Sequence, residues 1–454
     1  MVAELAQLEL PAEAPALPDG WRYELLGDLV DSPGISYGIV QPGNETNEGV
    51  PIVRVNNIRN GRVDTADVLK VDPAIEAKFK RSRLAGGEVL LTLVGTLGEV
   101  AIAPEKLRGW NVARAVGVIP VRPDPGSSWV SICLRSSFVQ HCIRMWATTT
   151  VQATFNLRDL AKLPIPIPPK ETREIIVAVL GALDDKIELN RRMNATLEAM
   201  ARALFQSWFV DFDSVRAKLD GRQPGGLDPA TAALFPNEFE DSELGPIPKG
   251  WTVGTVRDIA EVIDCLHSKK PERTETGRLF LQLNNIRDDG LLDLTERFLI
   301  SENDYKNWIS RMEARTGDCV ITNVGRVGAV SQIPDGVRAA LGRNMTGIRC
   351  KPDFPFPTLL LQCLLSDAMR EEVAVKIDSG TILDALNVKS IPLLRLIRPP
   401  QVIASSFERS VRPMRKTMEE NLRQSRTLAA IRDTLLPKLL NGELRTRRFK
   451  DGLE

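Results

Sequence analysis

The chain has 454 residues, 43% of them hydrophobic and 26% charged, which is ordinary for a soluble globular protein with room for several domains. Lys plus Arg and Asp plus Glu number 59 each. The resulting zero net charge argues against a surface that holds polyanions non-specifically, but leaves local basic patches open. Six cysteines without a CxxC pair, and only two histidines, His141 and His267, argue against a structural zinc site, and no metal ligands are predicted.

The first sixteen residues are acidic and Pro-rich and are expected to be a disordered lead without a signal peptide. Residues 17–169 form a first module. Ile52 to Val55 and Glu88 to Leu93 are strand-like, and Gly95 and Gly98 interrupt an apolar run where a turn or bulge is needed. Ser128 to Trp146 is predicted helical. The Pro-studded run Leu163 to Pro169 suits neither a helix nor a central strand, and is read as an extended lead.

Residues 170–210 then carry a heptad seam: Ile176, Leu180, Leu183, Ile187, Asn190, Asn194, Leu197, Ala201, Leu204 and Trp208. A helix of about 35 residues spans ~50 Å at ~1.5 Å per residue, and such a length needs a partner helix. Residues 211–245, with their acidic, Gly and Pro content, read as a connector with a short helix near Pro229 to Leu234. Residues 246–400 form a second module, in which Phe356 to Ile377 is predicted helical. Residues 401–442 form a second long helix, which Pro413 should kink or delay. Residues 443–454 are a basic tail.

The second half repeats the first. Leu17-Pro-Asp-Gly-Trp21 recurs as Ile247-Pro-Lys-Gly-Trp251, and Val53-Arg-Val-Asn-Asn-Ile-Arg59 as Leu281-Gln-Leu-Asn-Asn-Ile-Arg287. Gly87-Glu-Val-Leu90 with Gly95 and Gly98 recurs as Gly317-Asp-Cys-Val320 with Gly325 and Gly328. The seam returns as Phe407, Val411, Met414, Met418, Asn421, Ser425, Leu428, Arg432, Leu435 and Leu439. These ordered landmarks mark a diverged tandem duplication. The predicted fold is α+β: two tandem-repeat globular α/β modules separated by two long antiparallel helices, an intramolecular coiled coil with a pseudo-two-fold axis. One register sets Trp208 on Phe407, Asn194 on Asn421, Asn190 on Ser425 and Ile187 on Leu428, with polar groups meeting polar groups.

No phosphate loop, helicase box, nucleophile elbow or dinucleotide fingerprint is present, so no catalytic residue is assigned. The repeated polar positions suggest binding. Arg54, Asn56, Asn57 and Arg59 crowd a strand end, as Gln282, Asn284, Asn285 and Arg287 do in the other half. Arg, Asn and Gln are the side chains that read purine edges in pairs of hydrogen bonds. Thr92 and Thr96, with Thr322, Asn323 and Arg326, flank the paired glycines, where hydroxyls and backbone N–H groups can hold phosphates. Thr149 and Gln152 lie in a hydroxyl-rich loop whose counterpart includes Thr381. The plainer reading is that Asn-Asn is a turn and the threonines are strand residues.

The ordered set of motifs resembles the specificity subunit of type I restriction–modification systems. It comprises the P-x-G-W openings, Val-Asn-Asn-Ile-Arg, Gly-Glu-Val-Leu-Leu-Thr, Leu163-Pro-Ile-Pro-Ile-Pro-Pro169, Leu204-Phe-Gln-Ser-Trp-Phe-Val-Asp-Phe-Asp213 and Leu435-Leu-Pro-Lys-Leu-Leu-Asn-Gly-Glu-Leu444. Where the family often has Gln after each Pro-Pro, this chain has Arg173 and Ser405, so no partner contact is assigned there. The resemblance implies that each module is a target recognition domain reading one half of a bipartite double-stranded DNA target. The helices would serve as spacer. Two methyltransferase and two restriction subunits would assemble with the chain in the cytoplasm. S-adenosylmethionine, ATP and Mg would belong to those partners and not to this chain. A coiled-coil adaptor joining two protein-binding modules is the alternative.

Overall fold

The computed structural model describes residue 11 and residues 14–59, 61–149, 153–378 and 384–444. Most of the expected lead and the tail from residue 445 lie outside the described residues. The chain divides into two compact units, residues 1–186 with 428–454, and residues 187–427.

In the first unit, Val89–Thr92 is fully buried and central. It pairs antiparallel with Val100–Ile102 on one side and with Val116–Ile119 on the other, and the latter carries Ser36–Tyr37. Aliphatic side chains on both faces suit a strand covered on both sides. A second sheet orders Leu69–Val71, Val50–Val53 and Asn111–Val112, the last two parallel. The segment Pro164–Ile167 is more than an extended lead: it is a strand paired with Arg22–Leu25. It has this one partner, so the missing proline N–H groups cost no second ladder. Trp129 is fully buried, and its indole N–H donates to Pro166 O at 2.8 Å.

The second unit repeats this plan. Cys319–Thr322 lies between Val330–Gln332 and Met345–Cys350, with Ala260–Asp264 outermost. Arg278–Leu281 and Arg338–Leu341 are the parallel pair, flanked by Leu299–Ile300 and Ala314–Arg315. Thr252–Thr255 pairs with Arg395–Arg398. Each predicted module helix is two helices, Ser127–Leu134 with Ser137–Trp146, and Pro357–Leu365 with Asp367–Val375. The break is built by Ser136 and Ser366, whose hydroxyls accept from Val139 N and Met369 N and start a new helix.

The segment 211–245 holds the helices Asp213–Leu219 and Pro229–Ala233. Phe212, Val215 and Phe235 are buried in the aromatic core of the second unit with Trp208, Trp251 and Phe407.

Two helices of 40 residues each, Lys170–Phe209 and Gln401–Leu440, contribute to both units. Pro413 neither delays nor ends the second: the helix starts at Gln401, and Pro413 sits on its exposed face, where a carbonyl lacking its partner meets solvent. Within the second unit the helices run antiparallel. Trp208 and Phe407 stack edge to face with ring centroids 5.7 Å apart. Asn421 Nδ2 donates to Asn194 Oδ1 at 2.9 Å, and Asn194 Nδ2 donates to Met418 O at 2.9 Å. Asn190 donates to Gln424 Oε1 at 2.8 Å and to Ser425 Oγ at 3.2 Å. Asn190, Met418 and Asn421 are buried; Ile187, Asn194, Leu197, Met414 and Ser425 are half-buried. Within the first unit, Leu183, Leu435 and Leu436 pack on a core that contains Ile176, Leu180, Leu439 and Leu440. Leu428 is half-buried. Among the described residues no helix is long and apolar enough to cross a membrane.

Candidate nucleic-acid interface

The strand end that carries Arg54, Asn56 and Asn57 closes as one 3-10 turn, Val55–Asn57, and Leu283–Asn285 does the same in the second unit. Asn57 is 2% exposed: its Oδ1 accepts from Arg54 N at 2.9 Å and its Nδ2 donates to Asp67 O at 2.7 Å. Asn285 is 3% exposed and bonds Gln282 N and Asp293 O in the same way, at 2.8 and 2.7 Å. Both amides are therefore engaged in closing their own turn. Their neighbours Asn56 and Asn284 are exposed. Arg54 pairs with Asp67 at 3.1 Å. Arg287 grips Asp289, with Nη2 to Oδ2 at 2.6 Å. Burial would raise the Asp289 carboxyl, but the hydrogen bond and charge of Arg287 outweigh it and hold the pKa below its ordinary value. Arg59 is exposed on a short hairpin of Ile58–Arg59 with Arg62–Val63.

The glycine turns are backbone devices. Gly95, Gly98, Gly325 and Gly328 all have φ between 78° and 87°, the left-handed region. Thr92 is fully buried, and its Oγ1 accepts from Glu99 N at 2.9 Å. Thr322 accepts from Ala329 N at 3.1 Å and donates to Arg326 O. Asn323 is buried, bonded to Leu386 O and to Thr346 Oγ1. Thr92, Thr322 and Asn323 thus serve the chain's own backbone, where a strand ends in a tight turn. Thr96 and Arg326 are exposed at the turn tips, and Arg326 bonds Ile286 O and Asp288.

Each unit also sets a small hairpin beside its glycine turn. Thr148–Thr149 pairs with Ala153–Thr154, and Ile377–Asp378 with Ala385–Leu386. Bridges Val94 to Thr154 and Val324 to Ala385 join hairpin to turn. Thr149 is placed by its backbone alone, and Gln152 and Thr381 lie outside the described residues.

The structure adds groups that the motif reading passed over. The three-residue link after each second parallel strand, residues 113–115 and 342–344, lies against the turn just described. Ala113 N donates to Val53 O at 2.9 Å, and Gly342 N to Leu281 O at 3.0 Å. Each link carries an exposed arginine, Arg114 or Arg343. In the second unit a cavity of about 260 Å³ opens here, lined by Lys270, Gln282, Asn284, Trp308 and Arg343 among others. Only strand order reveals this grouping, because the lining residues lie far apart in sequence.

A family described as the type I restriction modification DNA specificity domain matches residues 18–199. The chain is 26% identical over 338 residues to the HindI type I restriction enzyme specificity subunit of Haemophilus influenzae, covering 65% of this chain and 72% of that one. It is 30% identical over 208 residues to the EcoBI specificity subunit of Escherichia coli, covering 43% and 44%. It is 26% identical over 379 residues to the MjaIX specificity subunit of Methanocaldococcus jannaschii, covering 80% and 79%. Residues 18–199 thus match the type I specificity domain, and most of the chain is similar to type I specificity subunits. The solved type I restriction–modification S subunit from M. genitalium has the same fold: TM-score 0.54 at 17% identity, over 92% of this chain and 96% of that one.

A specificity subunit recognises DNA and leaves catalysis to others. All six thiols are free, and burial pushes Cys350 and Cys363 up to about 12. The candidate metal ligands Asp264, Cys265 and His267 lie together, but Asp264 Oδ2 is taken by His267 Nε2 at 2.8 Å and by Arg311 at 3.2 Å.

Proposed function

We propose that this specificity subunit reads a bipartite double-stranded DNA target, one half-site per unit. We further propose that it assembles in the cytoplasm with two methyltransferase and two restriction subunits. The supporting observation is the repeated surface. Each unit brings a strand-end turn, a glycine turn, a short hairpin and an arginine-bearing link together around one parallel strand pair, yet fills equivalent positions differently. Arg54 stands where the other unit has Gln282, and Thr96 where it has Arg326. Shared scaffolding with different groups at equivalent positions suits two readers of different sequences. The exposed apolar side chains Leu189, Met193 and Met200, spaced four and seven along the first long helix, offer a partner helix a seam of its own. The test is the adenine methylation pattern of a duplex library with randomised sequence, using the chain assembled with its methyltransferase partner. The expected result is one motif of two short defined blocks around an undefined spacer; a single continuous block counts against two readers.

A further inference from the structure

We infer that Arg114 and Arg343 are equivalent specificity-determining residues, each reading a guanine edge in the half-site of its own unit. This rests on the DNA-reading function proposed above.

The equivalence is fixed by backbone geometry. Both links are pinned at the start, Ala113 N to Val53 O and Gly342 N to Leu281 O, and at the end, Leu93 N to Ala115 O at 2.7 Å and Asn323 N to Asn344 O at 2.8 Å. Residues 114 and 343 therefore project from the same point of the same loop, immediately beyond the C-terminal end of a parallel strand. Arg343 lines one cavity with Gln282 and Asn284, and Arg114 follows Ala113, whose N–H is bonded to Val53 next to Arg54.

Their charge is available. Arg54, Arg287 and Arg326 each spend their guanidinium on Asp67, Asp289 or Asp288. Among the described residues, Arg114 and Arg343 make no side-chain hydrogen bond or ion pair, and both are exposed. A planar donor fork without an internal partner suits the O6 and N7 acceptors of guanine.

The neighbours favour a base edge over a phosphate. Lys270 Nζ donates to Gln282 Oε1 at 2.7 Å, which holds that amide so that its NH₂ faces away as a further donor. Arg343, Gln282, exposed Asn284 and buried Trp308 line the same cavity. Amide groups carry the mixed donor and acceptor pattern of base edges, and the further cation lining this cavity, Lys270, is engaged with Gln282.

The experiment measures methylation of the randomised duplex library by the assembled complex, with Arg114→Ala, Arg343→Ala, and Arg→Lys at each position. Thermal melting checks the fold, which these exposed changes should leave intact. Each Ala variant is expected to lose roughly 5- to 150-fold discrimination at one guanine in one half-site, with the other half-site unchanged. Arg→Lys should restore part of it. Equal weakening for all sequences, with the salt dependence of log K reduced by about one, would show a phosphate contact and overturn the assignment. An unchanged motif would overturn it too. If the wild-type complex shows no bipartite motif, the underlying DNA-reading function fails instead, and the assignment fails with it.

Discussion

An asparagine at a strand end has two physical uses: its amide can face a base edge, or it can close the turn that ends the strand. Asn56 and Asn57 are adjacent and repeat as Asn284 and Asn285, yet they divide: the second of each pair is buried in its turn and the first is left exposed. Asn57→Ala leaves Arg54 N–H without its partner and takes from Asp67 C=O its shorter bond, and Asn285→Ala takes the partner of Gln282 N–H and of Asp293 C=O. Each should destabilise its unit by about 2 kcal/mol, read by urea unfolding, because buried unpaired groups carry their full desolvation cost. Asn56→Ala and Asn284→Ala should leave the midpoint within about 0.5 kcal/mol. Equal losses at both members of a pair would refute the division. Thr92 and Thr322 followed the plainer reading of the sequence, as strand residues whose hydroxyls serve the glycine turn. Nothing in a Thr-x-x-Gly spacing says which way the hydroxyl points.

At the scale of elements, periodicity was legible because a heptad seam is a local pattern with one physical solution, a helix laid along a helix. The meeting of Asn194 with Asn421 and of Asn190 with Ser425 follows from the rule that buried amides seek amides. Cysteines at 194 and 421 should be joined by a short thiol-reactive crosslinker, whereas cysteines at 194 and 428 should not; the reverse would mean a register shifted by a heptad. Less legible was the clamp at Asp184. It accepts from Arg432 at 2.7 Å and from Arg135 at 2.9 Å, tying both long helices to a module helix within the first unit. Burial pushes the Asp184 carboxyl up, but the two arginines outweigh it and hold the pKa below its ordinary 3.8. A depressed folded pKa gives stability that is complete above the unfolded value and is lost as pH falls through the folded one. Acid melting of the wild type should show that loss below about pH 4. Asp184→Asn should cost about 2 kcal/mol at neutral pH and flatten the acid limb. An unaltered acid limb in the variant would remove Asp184 from this role. Pro413 was expected to kink or delay the helix, and the delay does not occur: a helix packed along its other face tolerates one lost hydrogen bond on the wet side.

For the whole molecule, duplication is the organising fact, and it ties function to the long helices. If helix length sets the distance between half-sites, seven residues added to each helix lengthen it by ~10 Å, about three base pairs at ~3.4 Å each. The methylation motif of such a complex should keep both half-sites and widen its spacer. Altered half-site sequence with the spacing retained would separate helix length from spacing.

The sequence alone determined the repeat, the helical seam with its polar contacts, and the family resemblance. All three are written as ordered, local or periodic patterns, and these survive without coordinates. Only the tertiary structure decided which repeated polar residues are already engaged within the chain. Hydrogen-bond saturation and ion pairing depend on neighbours far away in the chain. Asp67 neutralises Arg54, Asp288 holds Arg326, and a link more than fifty residues downstream of the asparagine turn places an unpaired arginine beside it in each unit.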